Sequence, residues 1–232
     1  MAIDTVFLDA GGVLVFPNWA RVSDALARRE VHASVDALAR AEFRAKRRLD
    51  LGDTIGATND QQRGWLYFNL TLEEAGVAQT AATDEALEEL HAYHREENLW
   101  ESVPPDVVPT LQRLRALGLK LVVVSNANGR LRHLFDRLGL TGAVDILFDS
   151  HEEGVEKPDP RLFQIALSKA QAQPDTTLHV GDLYHVDVVG ARAAGLHAVL
   201  LDVAGLYDGF DCPRIRAFAD LPAALGLQSI GS

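Results

Sequence analysis

The sequence predicts an α/β protein, a Rossmann-like parallel sheet with helices on both faces, joined to an all-α domain. Three observations carry that expectation. Short apolar runs alternate with amphipathic stretches at the start of the chain and again over residues 101–205. Strands separated by helices in this rhythm pair in parallel and take helices on both faces. Residues 18–100 are instead rich in Ala, Leu, Arg and Glu, with apolar spacing of three and four and little strand signal, which is the helical period. Finally, polar residues follow four of the apolar runs, at the carboxyl ends where open parallel sheets bind ligands.

The first strand is the run Val6-Phe7-Leu8, which ends on Asp9 and passes at once into Ala10-Gly11-Gly12. Two glycines leave the backbone free to wrap round a carboxylate. Within the helical stretch, Gly52, Gly56 and Gly76 are expected to punctuate helices. Thr83-Asp84-Glu85 offers a hydroxyl and early acids, a good helix start. Pro104-Pro105 marks the return to the sheet. The expected domains are residues 1–17 with 101–232 as a discontinuous α/β core, and residues 18–100 as a helical insert. In the second half, strands are expected at 119–124, 144–148, 178–180 and 198–201, and helices at 107–117, 131–138, 160–170 and 186–194.

Composition narrows the function. The 232 residues are 47% hydrophobic and 24% charged, the balance of an ordinary globular protein. A chain of that size buries roughly 70% or more of its unfolded surface and needs no disulfide staples. The single cysteine, Cys212, cannot form an internal disulfide, so a reducing, cytoplasmic setting is expected. There is no long uninterrupted apolar segment and no signal-peptide pattern, so neither a membrane span nor secretion is expected. A net charge of -11 argues against general nucleic-acid binding.

Four strand ends carry the chemistry: Asp9, Ser125-Asn126, Glu156-Lys157-Pro158-Asp159-Pro160, and Gly181-Asp182 with Asp187 following. Together they bring carboxylates, one lysine and one hydroxyl to a common edge. Taken alone, Asp9 reads equally well as a turn or helix-cap residue. Ser125-Asn126 also reads as the cap of the next helix, a role compatible with binding an anion through main-chain amides.

In order, these segments resemble the four motifs of the haloacid dehalogenase superfamily, in the branch with a helical cap between the first and second motifs. The likeness is densest from Pro105 to Leu201. It includes Leu121-Val122-Val123-Val124-Ser125-Asn126, Glu156-Lys157-Pro158-Asp159-Pro160 and the stretch from His179-Val180-Gly181-Asp182 to Gly195. The resemblance implies that Asp9 is the nucleophile and that Ser125, Asn126 and Lys157 hold the transferring phosphoryl group. It implies Mg2+ on Asp9, the main-chain carbonyl of Gly11 and Asp182, with Asp187 in a supporting position. The implied activity is hydrolysis of a small phosphorylated metabolite through an aspartyl-phosphate, under a cap that closes to exclude water. Elementary electrostatics agrees, since a phosphate repels a carboxylate and attack needs positive charge on the phosphoryl oxygens.

One position departs from the resemblance. Most phosphatases of the superfamily have a second aspartate where this chain has Gly11. Acid–base help of that kind is worth ~10²–10⁴ in rate. Three explanations compete: a substrate with a good leaving group, replacement by His91, His94 or His185, or a non-catalytic or weakly active phosphate-binding relative. Branches that cleave carbon–halogen or carbon–phosphorus bonds (the 2-haloacid dehalogenase and phosphonatase types) also lack an acid here. The dehalogenases do not need the metal, and the retained Gly181-Asp182 speaks against them. The phosphonatase type needs a desolvated cap lysine, whereas Lys46 lies in Arg44-Ala45-Lys46-Arg47-Arg48, which reads as a solvated basic face. Trp65, Tyr67 and Phe68 are expected to pack the insert's core and Trp100 to pack near the return. Cys212 is expected to be inert.

Overall fold

The structure, a computed structural model, describes residues 2–226. The chain forms two compact units, Met1–Val15 with Val103–Ser232 and, between them in sequence, Phe16–Ser102. The first unit is built on six strands: β1 (Thr5–Leu8), β2 (Lys120–Ser125), β3 (Ile146–Asp149), β4 (Thr177–Gly181), β5 (His197–Leu201) and β6 (Arg214–Ile215). They form one sheet in the order β3-β2-β1-β4-β5-β6, with every pairing parallel. The second unit holds α1 (Trp19–Ala27), α2 (Val35–Leu49), α3 (Gly52–Ala57), α4 (Asp60–Glu74) and α5 (Ala81–Glu96). The sheet unit holds α6 (Val107–Ala116), α7 (Leu131–Arg137), α8 (Ser150–Glu153), α9 (Pro160–Ala170), α10 (Val189–Ala193) and α11 (Leu221–Ala224).

Alternation along the strands explains the two-sided burial. Phe7, Val122, Val124 and Phe148 pack one face of the sheet against Leu162, Phe163 and Ala166 of α9 and Ala191 of α10. Their neighbours Val6, Leu8, Leu121 and Val123 are equally buried on the other side, as strands covered by helices on both faces require. Strand order reverses between β1 and β4, the place where such sheets open a crevice for ligands. Leu8 lies opposite both Val123 and Val180. Asp9 therefore leaves the sheet flanked by the ends of β2 and β4.

Two details differ from expectation. The stretch expected as a helix over 186–194 starts as one wide π-helical turn, Tyr184–Val188, before α10 begins. Such turns cluster at functional sites. Strand β6 was not expected, because two residues carry no periodic signal. Its neighbourhood is fixed instead by Arg214 and Arg216, which lie 3.9 and 3.4 Å from the buried Asp202 at the end of β5.

In the helical unit, side-chain caps set the helix starts. Asn18 caps α1 and Ser34 caps α2, each accepting a backbone N–H. Asn59 with Gln62, and Thr80 with Thr83, form reciprocal capping boxes. Thr80 is thus the cap of α5, and Thr83, expected to open that helix, is already its third residue. Gly52 and Gly56 lie inside α3 instead of between helices, while Gly76 follows α4 at φ 78°, the left-handed stop that glycine favours. Tyr67, Phe68, Trp19 and Leu38 fill the core of this unit, with Trp100 packed against them. Trp65 is different: it is 41% exposed and stacks on His91 with ring centroids 3.3 Å apart. The basic run also splits. Arg44 and Arg48 form surface pairs with Glu73 and Glu74, but Lys46 is buried, with Nζ 2.7 Å from Glu42. Helical periodicity turns positions 42, 45, 46 and 49 inward together, so this is not a single solvated face. Among the described residues, no helix is long and apolar enough to cross a membrane.

Burial, reinforced by His94, lowers the His91 imidazole to about 4, and burial lowers His94 as well. A histidine depressed in the folded state favours folding above its ordinary pKa of about 6.5, and the benefit is lost as the pH falls below it. The chain is therefore expected to lose stability between pH 6.5 and about 4. Urea melts across that range check this, and His91→Phe should flatten the dependence.

Candidate active site

Asp9 is fixed at the switch point by its own backbone. Its N–H donates to Val180 (2.9 Å), and the loop behind it closes as Leu14 and Val15 donate to the Ala10 carbonyl. Gly12, at φ 81°, supplies the turn. One carboxylate oxygen of Asp9 accepts from the Ala10 N–H at 2.7 Å, and Lys157 Nζ lies 3.0 Å from the same oxygen.

Lys157 is fully buried, and two features hold it there. Asp159 and Pro160 start α9 just beyond it. The Asn126 amide braces its backbone, donating to the Lys157 carbonyl at 3.0 Å and accepting from its N–H at 2.7 Å. The ammonium also meets Asp187 at 2.7 Å. Burial works to lower the Lys157 pKa, but Asp187 and Asp9 outweigh it and hold the ammonium above its ordinary range.

Asp187 reaches this point because the π-helical turn folds back over β4. Leu183 N–H donates to its Oδ2 at 3.1 Å, and His179 Nε2 lies 2.9 Å from its Oδ1. An acceptor there sets the proton on Nε2. Burial would raise the Asp187 carboxyl, yet Lys157 and His179 overcome it and hold the group well below the usual carboxylate range. Gly181 makes the approach possible: a Cβ at that position would sit 2.1 Å from Asp187 Cγ.

The predicted residues meet unequally. Asp9, Asp182 and Asp187 each offer an oxygen, all within 4.8 Å of one another. Asp187, expected in a supporting position, is paired directly with Lys157. Ser125 ends β2 beside β1 and is buried, its hydroxyl directed at the Asn126 carbonyl at a long 3.4 Å. The Asn126 side-chain amide is engaged with the Lys157 backbone, which leaves its main-chain amide as the group that the expected anion contact would use. Neither Ser125 nor Asn126 caps α7, which starts at Leu131 with no side-chain cap. Asp149 at the end of β3 serves that turn, accepting from Leu131 N–H at 3.2 Å. Cys212 is half-buried, and burial pushes its thiol up, as an inert cysteine requires.

His179 escaped the sequence reading because it lies within an apolar run. Its available signal was an ionisable residue in a strand buried on both faces. It is fully buried, its ring 4.8 Å edge-on from Phe163, and burial lowers its pKa.

The charge balance of the cluster asks for a cation. Three carboxylates cluster where one ammonium pairs with two of them, and burial, with Asp187 adding to it, raises Asp9 against the pull of Lys157. Hard oxygen donors at this spacing suit Mg2+.

Comparison with known proteins agrees with the fold. The family model described as haloacid dehalogenase-like hydrolase matches residues 3–195. Haloacid dehalogenase-like hydrolase domain-containing protein 3 of Bos taurus is 38% identical over 138 residues, covering 59% of this chain and 55% of that protein. The match thus spans about half the length of that relative. The ribulose-1,5-bisphosphate 5-phosphatase of Halopiger xanaduensis is 31% identical over 194 residues, covering 82% of this chain and 79% of that one. The crystal structure of 2-haloacid dehalogenase from Pseudomonas syringae is similar at 26% identity and a TM-score of 0.59, covering 97% of this chain and 98% of that one. The chain belongs to the haloacid dehalogenase-like hydrolase family of enzymes.

Proposed function

We propose that this hydrolase is a magnesium-dependent phosphatase that transfers a phosphoryl group from a small phosphorylated metabolite to Asp9 and then to water. The observation that carries this reading is the pairing of Asp9 with the buried Lys157 at 3.0 Å, inside a carboxylate cluster at the reversal of strand order. The Asp9 oxygen attacks phosphorus and the bond to the leaving oxygen breaks. Lys157 places a fixed positive charge beside the attacking carboxylate, which lowers the repulsion between carboxylate and phosphate. Ser125 supplies a hydroxyl, and main-chain amides at the strand ends supply further donors. Asp9, Asp182 and the Gly11 carbonyl would hold Mg2+, with Asp187 beside them, and the bound ion would neutralise charge on the phosphoryl oxygens. A cytoplasmic setting fits the single cysteine.

A second reading, binding of phosphate-like ligands with little turnover, is favoured by Gly11, which has no side chain to move a proton. A third is carbon–halogen cleavage, which Asp182 in the acidic cluster disfavours, since it needs no cation. Phosphate release from aryl and acyl phosphates, with and without Mg2+, separates these readings. The phosphatase shows metal-dependent release, and Asp9→Asn lowers it by roughly 10⁴-fold or more. Halide release from 2-haloacids without metal would move the assignment to the dehalogenases. Tight Mg2+ binding with no release from any donor would make the chain a binding protein.

A further inference from the structure

We propose that His179 is a positioning residue for phosphoryl transfer: its ring N–H fixes the Asp187 carboxylate, and through it the Lys157 ammonium beside Asp9. The inference rests on the reading of Asp9 as nucleophile, and it gives a role to a buried polar group that packing leaves unexplained.

His179 sits where an apolar residue belongs. Parallel register places it between Phe7 and Ala198, with Val122 beyond Phe7. Those three neighbours belong to the apolar layer under α9. His179 meets Phe163 of that layer edge-on and has no exposed surface. Among the described residues, its Nδ1 has no hydrogen-bond partner. A buried ring nitrogen without a partner opposes folding, so an apolar side chain would serve the layer better. What the imidazole adds is one directed donor. Its Nε2 lies 2.9 Å from Asp187 Oδ1, and a carboxylate oxygen only accepts, so Nε2 carries the hydrogen.

That donor closes a ring of contacts around the nucleophile. Asp9 follows Phe7 by two residues, and Lys157 Nζ lies 3.0 Å from its oxygen. Lys157 meets Asp187 at 2.7 Å, Asp187 meets His179, and His179 lies beside Phe7 in the sheet. Asp187 Oδ2 accepts from Leu183 N–H at 3.1 Å, a donor at the start of the same π-helical turn, which moves with that turn. His179 is therefore the contact that refers Asp187 to the interior of the sheet from which Asp9 emerges. Without its N–H, Oδ1 answers to the ammonium alone, and the Asp187–Lys157 pair is free to settle away from Asp9. His179 is sealed from solvent and touches no substrate, so its effect on the reaction passes through Asp187 and Lys157.

Turnover of p-nitrophenyl phosphate by the full chain in Mg2+ tests this. His179→Phe keeps the ring and removes the donor. It should lower kcat by about 10-fold or more, the loss expected of one hydrogen bond to a charged group, with KM little changed. His179→Gln, which can present an N–H to the same oxygen, should recover most of kcat. Asp187→Asn should lower kcat as well, and adding His179→Phe to it should cost little further activity, because the two side chains act as one link. A histidine that only supports the fold would shift the melting midpoint and leave kcat per folded molecule at the wild-type value. That result overturns the inference and leaves the phosphatase reading intact, as does full additivity in the double variant. Nitrogen-15 spectra of histidine-labelled wild type give a readout that survives any failure of a variant to fold. Hydrogen on His179 Nε2 is expected, and Nε2 without hydrogen overturns the inference. No phosphate release by the wild type from any donor removes the reaction itself and overturns both.

Discussion

Lys157→Met lowers the stability of the chain by about 3–5 kcal/mol and abolishes phosphoryl transfer, because it leaves the buried Asp187 and the partly buried Asp9 without their counter-charge. The side chains of Lys157 and Asp187 are each 1% exposed and 2.7 Å apart, so water cannot replace the lost ammonium. The pH dependence follows from the directions of the shifts. Asp187 is held below its ordinary value, so its pairing stabilises the fold above about pH 4 and the benefit is lost as the pH falls through the depressed value. Lys157 is held above its ordinary value, so its share is present below about pH 10 and is lost as the pH rises through the elevated one. Asp9, raised by burial, acts in the opposite sense to Asp187 and is relieved by acid. The stability gap between wild type and variant should therefore be widest near neutrality and narrow below pH 4. Adding Asp187→Asn to Lys157→Met should restore part of the stability and none of the activity. Equal melting midpoints for wild type and Lys157→Met at pH 7 would show that the ammonium does not hold the cluster together.

The sheet was legible because its strands are apolar runs bounded by turns, and five of the six begin close to where periodicity places them. The sixth was not, since β6 is two residues pinned by arginines that reach back to Asp202. Pairwise charge contacts across 12 or more positions leave no local pattern. The same limit applies at the site. Asp9 and Asp182 could be read from their strand-end positions, whereas Lys157 lies beyond α8, just ahead of α9; its pairing with Asp187 depends on the π-helical turn, which shares its composition with an ordinary helix start. The expected role of Asn126 toward an anion was through its main-chain amide; that its side chain braces the Lys157 backbone depends on a contact across 31 positions that leaves no local pattern. Lys46 was misread for a related reason. A run of basic residues averages over a helix, while the helix itself sorts them, sending Arg44 and Arg48 outward and Lys46 to Glu42.

Gly181→Ala should disable the site without replacing any side chain of the cluster, by displacing Asp187. The residue ends β4 with no positive φ, so the backbone does not demand glycine. Space does: the added methyl carbon would lie 2.1 Å from Cγ, 2.3 Å from Cβ and 2.4 Å from Oδ2 of Asp187. Those atoms cannot yield, because Asp187 is fully buried and tied to Lys157, His179 and Leu183. Either the π-helical turn moves away from β4 or the strand end shifts, and both break the geometry that places Lys157 against Asp9. Overpacking of this kind costs about 1–3 kcal/mol, more where the neighbours are fixed. Activity should fall further than that cost implies, because a displaced Asp187 releases the ammonium beside the nucleophile. The check is a comparison with Gly139→Ala, a glycine at φ 69° with open space around it. That substitution strains the backbone and should lower stability modestly with full activity per folded molecule. Gly181→Ala should lose activity even at temperatures where it remains folded. Wild-type turnover from Gly181→Ala would mean that Asp187 can leave Lys157 without consequence, and the cluster would then owe its function to Asp9 and Asp182 alone.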